Sequence, residues 1–286
     1  MPRTYPAKLL LFGEYSVLNG SQALAVPLSQ WSGHWTNENP VQKFSPVEFI
    51  DWLFEKNIIG ENEKIRMTDD VEKGWSFTSS IPIGHGVGSS GAYVAAVYDR
   101  YLCEKKSVGK VDASAIMASM ESFFHGSSSG MDPLVSFENK AVLKDDAGIF
   151  HVINDPGWPE GYKVYLWNSG ISRTTGPLVQ VYKNKIQDPG FLSFIQHSLI
   201  SMVDHAIHFY LSSTASMLEE CISVISQFQR AHFTEMIPDA VMKTWDVVIE
   251  KNGVYMKLCG AGGGGYYMII STKGEDITLP GCIQIH

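Results

Sequence analysis

Hydrophobic positions recur along this chain in two periods, one suited to strands and one to helices. Lys8–Phe12 (KLLLF) is an almost unbroken apolar run that reads as a buried strand ending at Gly13. Asn19-Gly20 between short apolar runs is a hairpin signal, so Ser16–Leu18 is expected to pair with Ala23–Val26. Pro46–Phe54 (PVEFIDWLF) has helical spacing with Pro46 suited to a first turn, whereas Lys64–Asp70 reads as strand and turn. Trp75–Ser80 reads as a strand, and Gly91–Leu102 follows as a helix with Val94, Val97, Tyr98 and Tyr101 on one face. A second helix is expected over Asp112–Phe124, with Asp112 as N-cap and Ile116, Met117, Met120, Phe123 and Phe124 giving it a buried face. Leu134–Phe137 and Ala141–Leu143 flank Glu138-Asn139-Lys140 as an expected hairpin, and Tyr162–Trp167 is a further strand. From about residue 177 to 250 the pattern is mainly helical. Lys251–Gly260 then turns back towards strand, and Tyr266–Ile270 (YYMII) is a strand.

An order of β-rich, then helical, then a final strand predicts an α+β protein. A length of 286 residues favours two domains. The linker-like Asp155-Pro156-Gly157-Trp158-Pro159 puts their boundary near residue 160, giving 1–160 and 161–286. With 44% hydrophobic and 18% charged residues, the composition is that of a folded soluble protein. A net charge of −8 argues against nonspecific nucleic-acid binding, which needs a basic footprint. It leaves small anions open, because a local cluster of backbone N–H groups holds an anion whatever the overall charge. No stretch approaches a membrane span, and the N-terminal apolar run is too short for a secretory segment. Cys103, Cys221, Cys259 and Cys282 are too scattered to suggest zinc or a disulfide framework. A cytoplasmic protein with no nucleic-acid or membrane partner is the expectation.

Three segments carry candidate chemistry. In Pro82-Ile83-Gly84-His85-Gly86-Val87-Gly88-Ser89-Ser90, glycines alternate just before a helix whose first turn holds two hydroxyls. Glycine lets the backbone approach an anion, and the free N–H groups and positive dipole end of the helix then face it. The hydroxyls can cap the helix or ligate a metal carried by phosphates. A plain glycine-rich turn with serine caps fits the spacing too, and the Walker A lysine is missing. Gly260-Ala261-Gly262-Gly263-Gly264-Gly265 is the second segment. So many glycines cost backbone entropy, which favours close approach to a ligand or another loop over a flexible hinge. Between them lie Glu121, late in a helix, and Asp132, at the end of a Ser/Gly loop before an expected strand. Such carboxylates could supply a Mg²⁺ ligand and a base for a hydroxyl, or lie on the surface and in an Asp-Pro turn.

These segments occur together and in order, and from Ala7 to about residue 270 the chain resembles the GHMP kinase superfamily, named for galactokinase, homoserine kinase, mevalonate kinase and phosphomevalonate kinase. Within it the resemblance is greatest to mevalonate kinase. Ala7–Gly20 with Ala23–Val26 is similar to the first family motif, Pro82–Ser90 to the second with Val87 in place of Leu, and Lys257–Gly265 to the third. Asn168–Thr175 resembles the segment that opens the family's C-terminal domain. The resemblance implies an N-terminal domain like the second domain of ribosomal protein S5, then a ferredoxin-like domain. It implies an enzyme that transfers the γ-phosphate of ATP to an alcohol such as mevalonate, with Mg²⁺ as cofactor, and leaves a homodimer open. It further implies that Pro82, Gly84, His85, Gly86, Val87, Gly88, Ser89 and Ser90 bind ATP and that Ser90 and Glu121 hold Mg²⁺. Asp132 would take the proton of the substrate hydroxyl, and Lys8 would sit beside it and offset charge on the transferring phosphoryl group. Glu14, Tyr15, Thr175, Gly262, Gly263 and Gly264 would lie on the substrate side.

Three positions depart from the pattern. Tyr15 stands where mevalonate kinases typically carry His, His85 where the loop is usually small, and Tyr266 where a small residue or Cys is usual. These departures bear on the phosphate acceptor, and they leave a sugar or phosphorylated substrate, or a silent nucleotide-binding regulator, as alternatives.

Overall fold

A computed structural model describes residues 2–38, 45–103, 110–172 and 175–286, with the side chains of 110–112 and of 175 outside that description. Contacts group the chain into two compact units that interleave along the sequence. The first takes Met1–Leu9, Ala25–Ile83 and Val87–Val142, and the second Leu10–Leu24, Gly84–Gly86 and Leu143–His286.

Strand β1 (Tyr5–Phe12) is buried along nearly its whole length, as its apolar run dictates. The long β2 (Ala23–Thr36) follows. In the first unit α1 (Pro46–Glu55) opens with Pro46 and buries Phe49, Ile50 and Leu53. The next element corrects the expectation of strand and turn over Lys64–Asp70, because α2 is a helix (Glu61–Glu72). Its start is fixed by Glu63, whose carboxylate accepts from the Gly60 N–H at 3.0 Å. Only Met67 is buried, so the apolar stripe is too thin to read. Ion pairs tie the helix down instead, Lys64 to Asp51 at 2.9 Å and Arg100 to Asp70 at 2.7 Å.

Strand β3 (Ser76–Ser79) leads to α3 (Ser89–Tyr101) and α4 (Lys110–His125), both anticipated. Asp112, expected as N-cap, falls inside α4 at a position whose side chain is not described. The expected first arm of a hairpin over Leu134–Phe137 is instead α5 (Met131–Glu138), and only its far side, β4 (Ala141–Lys144), is a strand. Gly130 at φ 81° begins this short helix and Asn139 at φ 49° ends it, so the four residues Leu134–Phe137, three of them apolar, were read in the wrong period. Gly91 lets α3 and α5 cross closely, since a Cβ there would lie 2.9 Å from the Asp132 carbonyl carbon. Trp35 is a packing residue: its indole donates to the Ala96 carbonyl at 3.1 Å, and its ring meets Phe77, Tyr93 and Tyr101.

After β1 the chain makes a short 3-10 turn over Ser16–Asn19, where a strand was expected. Gly20, at φ 99°, closes it by donating to the Ser16 carbonyl, so Asn19-Gly20 terminates a helical turn rather than a hairpin. In the second unit β5 (Phe150–Ile153) and β6 (Lys163–Asn168) precede five helices: α6 (Thr175–Lys185), α7 (Pro189–Phe194), α8 (Ile200–Leu211), α9 (Ala215–His232) and α10 (Asp239–Ile249). Strands β7 (Val254–Leu258), β8 (Tyr266–Ser271) and β9 (Cys282–Gln284) end the chain. One sheet has the order β1-β2-β4-β5 with β3 on β2, and the other β7-β8-β6-β9, with antiparallel pairs. β8 lies inside its sheet and is buried at all six positions, which is why YYMII is so legible. Among the described residues no helix is long and apolar enough to cross a membrane.

Candidate active site

In the first unit the site is built on β1, α3, α4 and α5. Lys8 lies in the middle of β1, with its backbone N–H donating to the Val87 carbonyl at 3.0 Å. Its side chain is buried, and Nζ lies 3.0 Å from Asp132 Oδ2. Asp132 is the second residue of α5, where free N–H groups and the helix dipole favour a carboxylate. About a third of its side chain, 32%, stays exposed, so a buried cation holds one edge while the rest is reachable. Gly88 makes room for this lysine. It takes φ 76°, and a Cβ there would stand 2.7 Å from Lys8 Cγ.

Ser90, in the first turn of α3, meets Glu121 of α4. Ser90 Oγ donates to Glu121 Oε1 at 3.3 Å and lies 2.8 Å from His125 Nε2. Ser128 Oγ donates to the other carboxylate oxygen and accepts from the Gly130 N–H at 3.0 Å. Burial, and then the nearby charge of Asp132, push the Glu121 carboxyl up to about 7, outweighing the Ser128 hydrogen bond, Lys8 and the Ser90 hydrogen bond. Two carboxylates and one lysine leave this cluster short of positive charge.

The cluster suits a hard divalent cation. Its donors are hydroxyl and carboxylate oxygens, as Mg²⁺ prefers. Among the described residues no group of three or more His, Cys, Asp or Glu is arranged to hold a metal. Mg²⁺ that keeps waters and phosphate oxygens as ligands needs no such group. The anion side has its own sign. Ser89 begins α3 with its Oγ buried and without a hydrogen-bond partner, behind Gly88 in the left-handed conformation. An anion at this helix start would satisfy both the hydroxyl and the free N–H groups.

The second unit holds the other motifs. Tyr15 has φ 59° and ψ −44°, and the Ser16 N–H donates to the Glu14 carbonyl at 2.6 Å across it, a strained γ-turn. The turn sends its two side chains to the start and the middle of the third motif. Glu14 pairs with Lys257, both fully buried, and Gln229 donates to Glu14 at 3.4 Å while accepting from the Leu258 N–H at 2.8 Å. Burial raises the Glu14 carboxyl, and Lys257 opposes the rise. Tyr15 Oη donates to the Ala261 carbonyl at 2.6 Å, and its ring stacks on Tyr182 with centroids 4.8 Å apart.

Four glycines of the glycine-rich run have protein where a side chain would begin. A Cβ would meet the Met236 carbonyl at Gly262, Leu178 at Gly263, the Ile171 carbonyl at Gly264 and the His85 carbonyl at Gly265. Of the two reasons for close approach, another loop is the one seen here, because Gly265 abuts the Gly84–Gly86 turn at the His85 carbonyl.

No protein-family model matches the chain. A curated relative, the mevalonate kinase of Thermococcus gammatolerans, is 26% identical over 317 residues, covering 95% of this chain and 90% of that protein. Among solved structures, Streptococcus pneumoniae phosphomevalonate kinase in complex with phosphomevalonate and AMPPNP has a TM-score of 0.67 at 16% identity, over 95% of this chain and 92% of that one. The L. major mevalonate kinase in complex with R-mevalonate has a TM-score of 0.60 at 16% identity, over 94% and 86%. The chain has the GHMP kinase fold.

On that fold, the first unit brings together Lys8 with Asp132 and Ser90 with Glu121. In the second, Glu14 and Tyr15 turn into protein contacts, and Gly262, Gly263 and Gly264 line a packed loop. Of the segment similar to the opening of the family's C-terminal domain, Arg173, Thr174 and the Thr175 side chain lie outside the described residues. Sequence reading gave no role to Ser128, and Lys257 entered only as the first residue of the third motif. A lysine inside the apolar run Val254–Leu258 was the available signal for a buried ion pair.

Proposed function

We propose that this protein is an ATP-dependent kinase that phosphorylates the hydroxyl of a small hydroxy acid, mevalonate or a close analogue. The observation that carries the reading is the Lys8–Asp132 pair, a carboxylate about one-third exposed and held by a buried lysine. It stands with an oxygen-donor pair at Ser90 and Glu121 and an unsatisfied buried hydroxyl at Ser89. Phosphoryl transfer asks mainly for positioning and charge neutralisation, and these groups supply both.

In this reading, Pro82–Ser90 wraps the ATP phosphates with backbone N–H groups and the start of α3. The acceptor oxygen attacks the γ-phosphorus, the bond to the ADP oxygen breaks, and Asp132 takes the hydroxyl proton. Lys8 offsets charge on the transferring group. Ser90 and Glu121 would hold Mg²⁺, which when bound supplies positive charge to the phosphate oxygens. Glu14, Tyr15, Thr175 and Gly262–Gly264 form the acceptor side, with Glu14 and Tyr15 acting through the loop they brace. Residues 1–160 would then carry donor binding and the base, and 161–286 the glycine-rich loop. The reading makes it a cytoplasmic enzyme of isoprenoid biosynthesis with small-molecule partners.

A second reading keeps the fold and changes the acceptor to a sugar or a phosphorylated alcohol. Tyr15 favours it, because its hydroxyl is engaged by Ala261. A regulator that binds nucleotide without catalysis is the reading from a different class. A coupled ADP-release screen with Mg·ATP over mevalonate, phosphomevalonate, homoserine and simple sugars separates the three. Release with mevalonate supports the first, release only with another alcohol supports the second, and release with none supports the third.

A further inference from the structure

Two of the three departures from the family pattern touch each other. His85 and Tyr266 have ring centroids 5.7 Å apart at an interplanar angle of 49°, and the Tyr266 N–H donates to the His85 carbonyl at 3.3 Å. The third, Tyr15, grips the other end of the same glycine-rich run through Ala261.

The two partners differ in how firmly they are held. His85 sits between Gly84 at φ 76° and Gly86 at φ 79°, and a turn with two such glycines has little stiffness of its own. Tyr266 is the first residue of β8, a strand flanked by β7 and β6. Its surroundings are tied at several points. Gly265 donates to the Ile171 carbonyl at 2.8 Å and accepts from the Ser169 N–H at 3.0 Å and from Ser169 Oγ at 2.9 Å. Cys259 Sγ donates to the Tyr266 carbonyl at 3.0 Å, closing the base of the run. Rigidity therefore passes from the sheet to the glycine turn.

We propose that His85 and Tyr266 are paired positioning residues, whose rings strap the Gly84–Gly86 turn to the end of the glycine-rich run and so set the phosphate loop for its ligand. The effect on ATP rests on reading Pro82–Ser90 as the donor loop, whereas the strap itself does not. Removing either ring removes the contact between them, so the loss in the double variant should fall short of the sum of the two single losses.

The test uses the whole protein with His85→Ala, Tyr266→Ala, the double variant and Tyr266→Phe. Amide hydrogen exchange over residues 84–88 and the dissociation constant for Mg·ATP are read for each. Each single alanine variant should speed exchange there and weaken Mg·ATP by about three- to tenfold, the size of an aromatic pair contact. The double variant should lose less than the two single losses together, and Tyr266→Phe should restore most of the loss. KM for the acceptor should move less than the ATP affinity. Unchanged exchange at residues 84–88 in both single variants, or losses that add in the double variant, would overturn the strap. Native protein that binds no Mg·ATP would overturn the positioning role together with the donor-site reading. If Tyr266→Ala does not fold, His85→Ala in its half-exposed turn carries the test with the same two readouts.

Discussion

Lys8 Nζ and Asp132 Oδ2 stand 3.0 Å apart, one projected from the middle of β1 and the other from the second position of α5. The sequence separation is large, but the two elements fix the pair from opposite sides. Burial of the lysine stem leaves its charge few other partners, and the helix start favours the carboxylate.

Asp132→Asn keeps the shape of this pair and removes the base. It should lower kcat by about 10²- to 10⁴-fold, the usual worth of general base catalysis, while Mg·ATP binding stays near native. Steady-state rates alongside a nucleotide-binding titration check this, and native turnover in the variant removes Asp132 as the base.

Gly91→Ala tests how tightly α3 seats Asp132. The added methyl would sit 2.9 Å from the Asp132 carbonyl carbon and from its Cβ, and backbone cannot yield as a side-chain tip does. Overpacking of this kind costs about 1–3 kcal/mol, and kcat should fall with it. Denaturant unfolding with parallel rate measurements reads both effects, and an unchanged midpoint and kcat would show slack at this crossing.

Glu121 gives a pH signature in the metal-free protein. Its carboxyl is raised from an ordinary 4.5 to about 7 by burial and by Asp132. Between these values the folded protein binds a proton that the unfolded chain has released, so its stability falls as pH rises through that window and levels off above it. Glu121→Gln should flatten this slope. Unfolding midpoints from pH 4.5 to 8 in chelator measure it, and an equal slope in the variant would contradict the assignment.

Lys257→Met leaves Glu14 buried without its cation. Breaking such a pair costs about 3–5 kcal/mol, whereas replacing both partners by neutral groups costs far less. Chemical unfolding of Lys257→Met beside the Glu14→Gln, Lys257→Met double variant should show this order. A single variant as stable as native would remove the pair from the fold's supports.

What could be read in advance follows from how strongly each segment speaks in one period. KLLLF and YYMII are apolar at nearly every position, and both are strands. Leu134–Phe137 is too short to distinguish strand from helix, and Lys64–Asp70 belongs to a helix that buries only Met67. The site shows the same divide. Ser90, Glu121 and Asp132 stood out beside the glycine-rich segments, and Lys8 through the family resemblance. The Glu14–Lys257 pair and the His85–Tyr266 contact join residues far apart in the chain, and no local pattern carries such pairings.

The central claim is tested most directly by ³¹P NMR of a mixture of protein, Mg·ATP and mevalonate. Native protein should convert ATP to ADP with an equal rise of a new phosphomonoester signal, and Asp132→Asn should give almost none. ATP turned over to inorganic phosphate alone, or an equal phosphomonoester signal from Asp132→Asn, would contradict it.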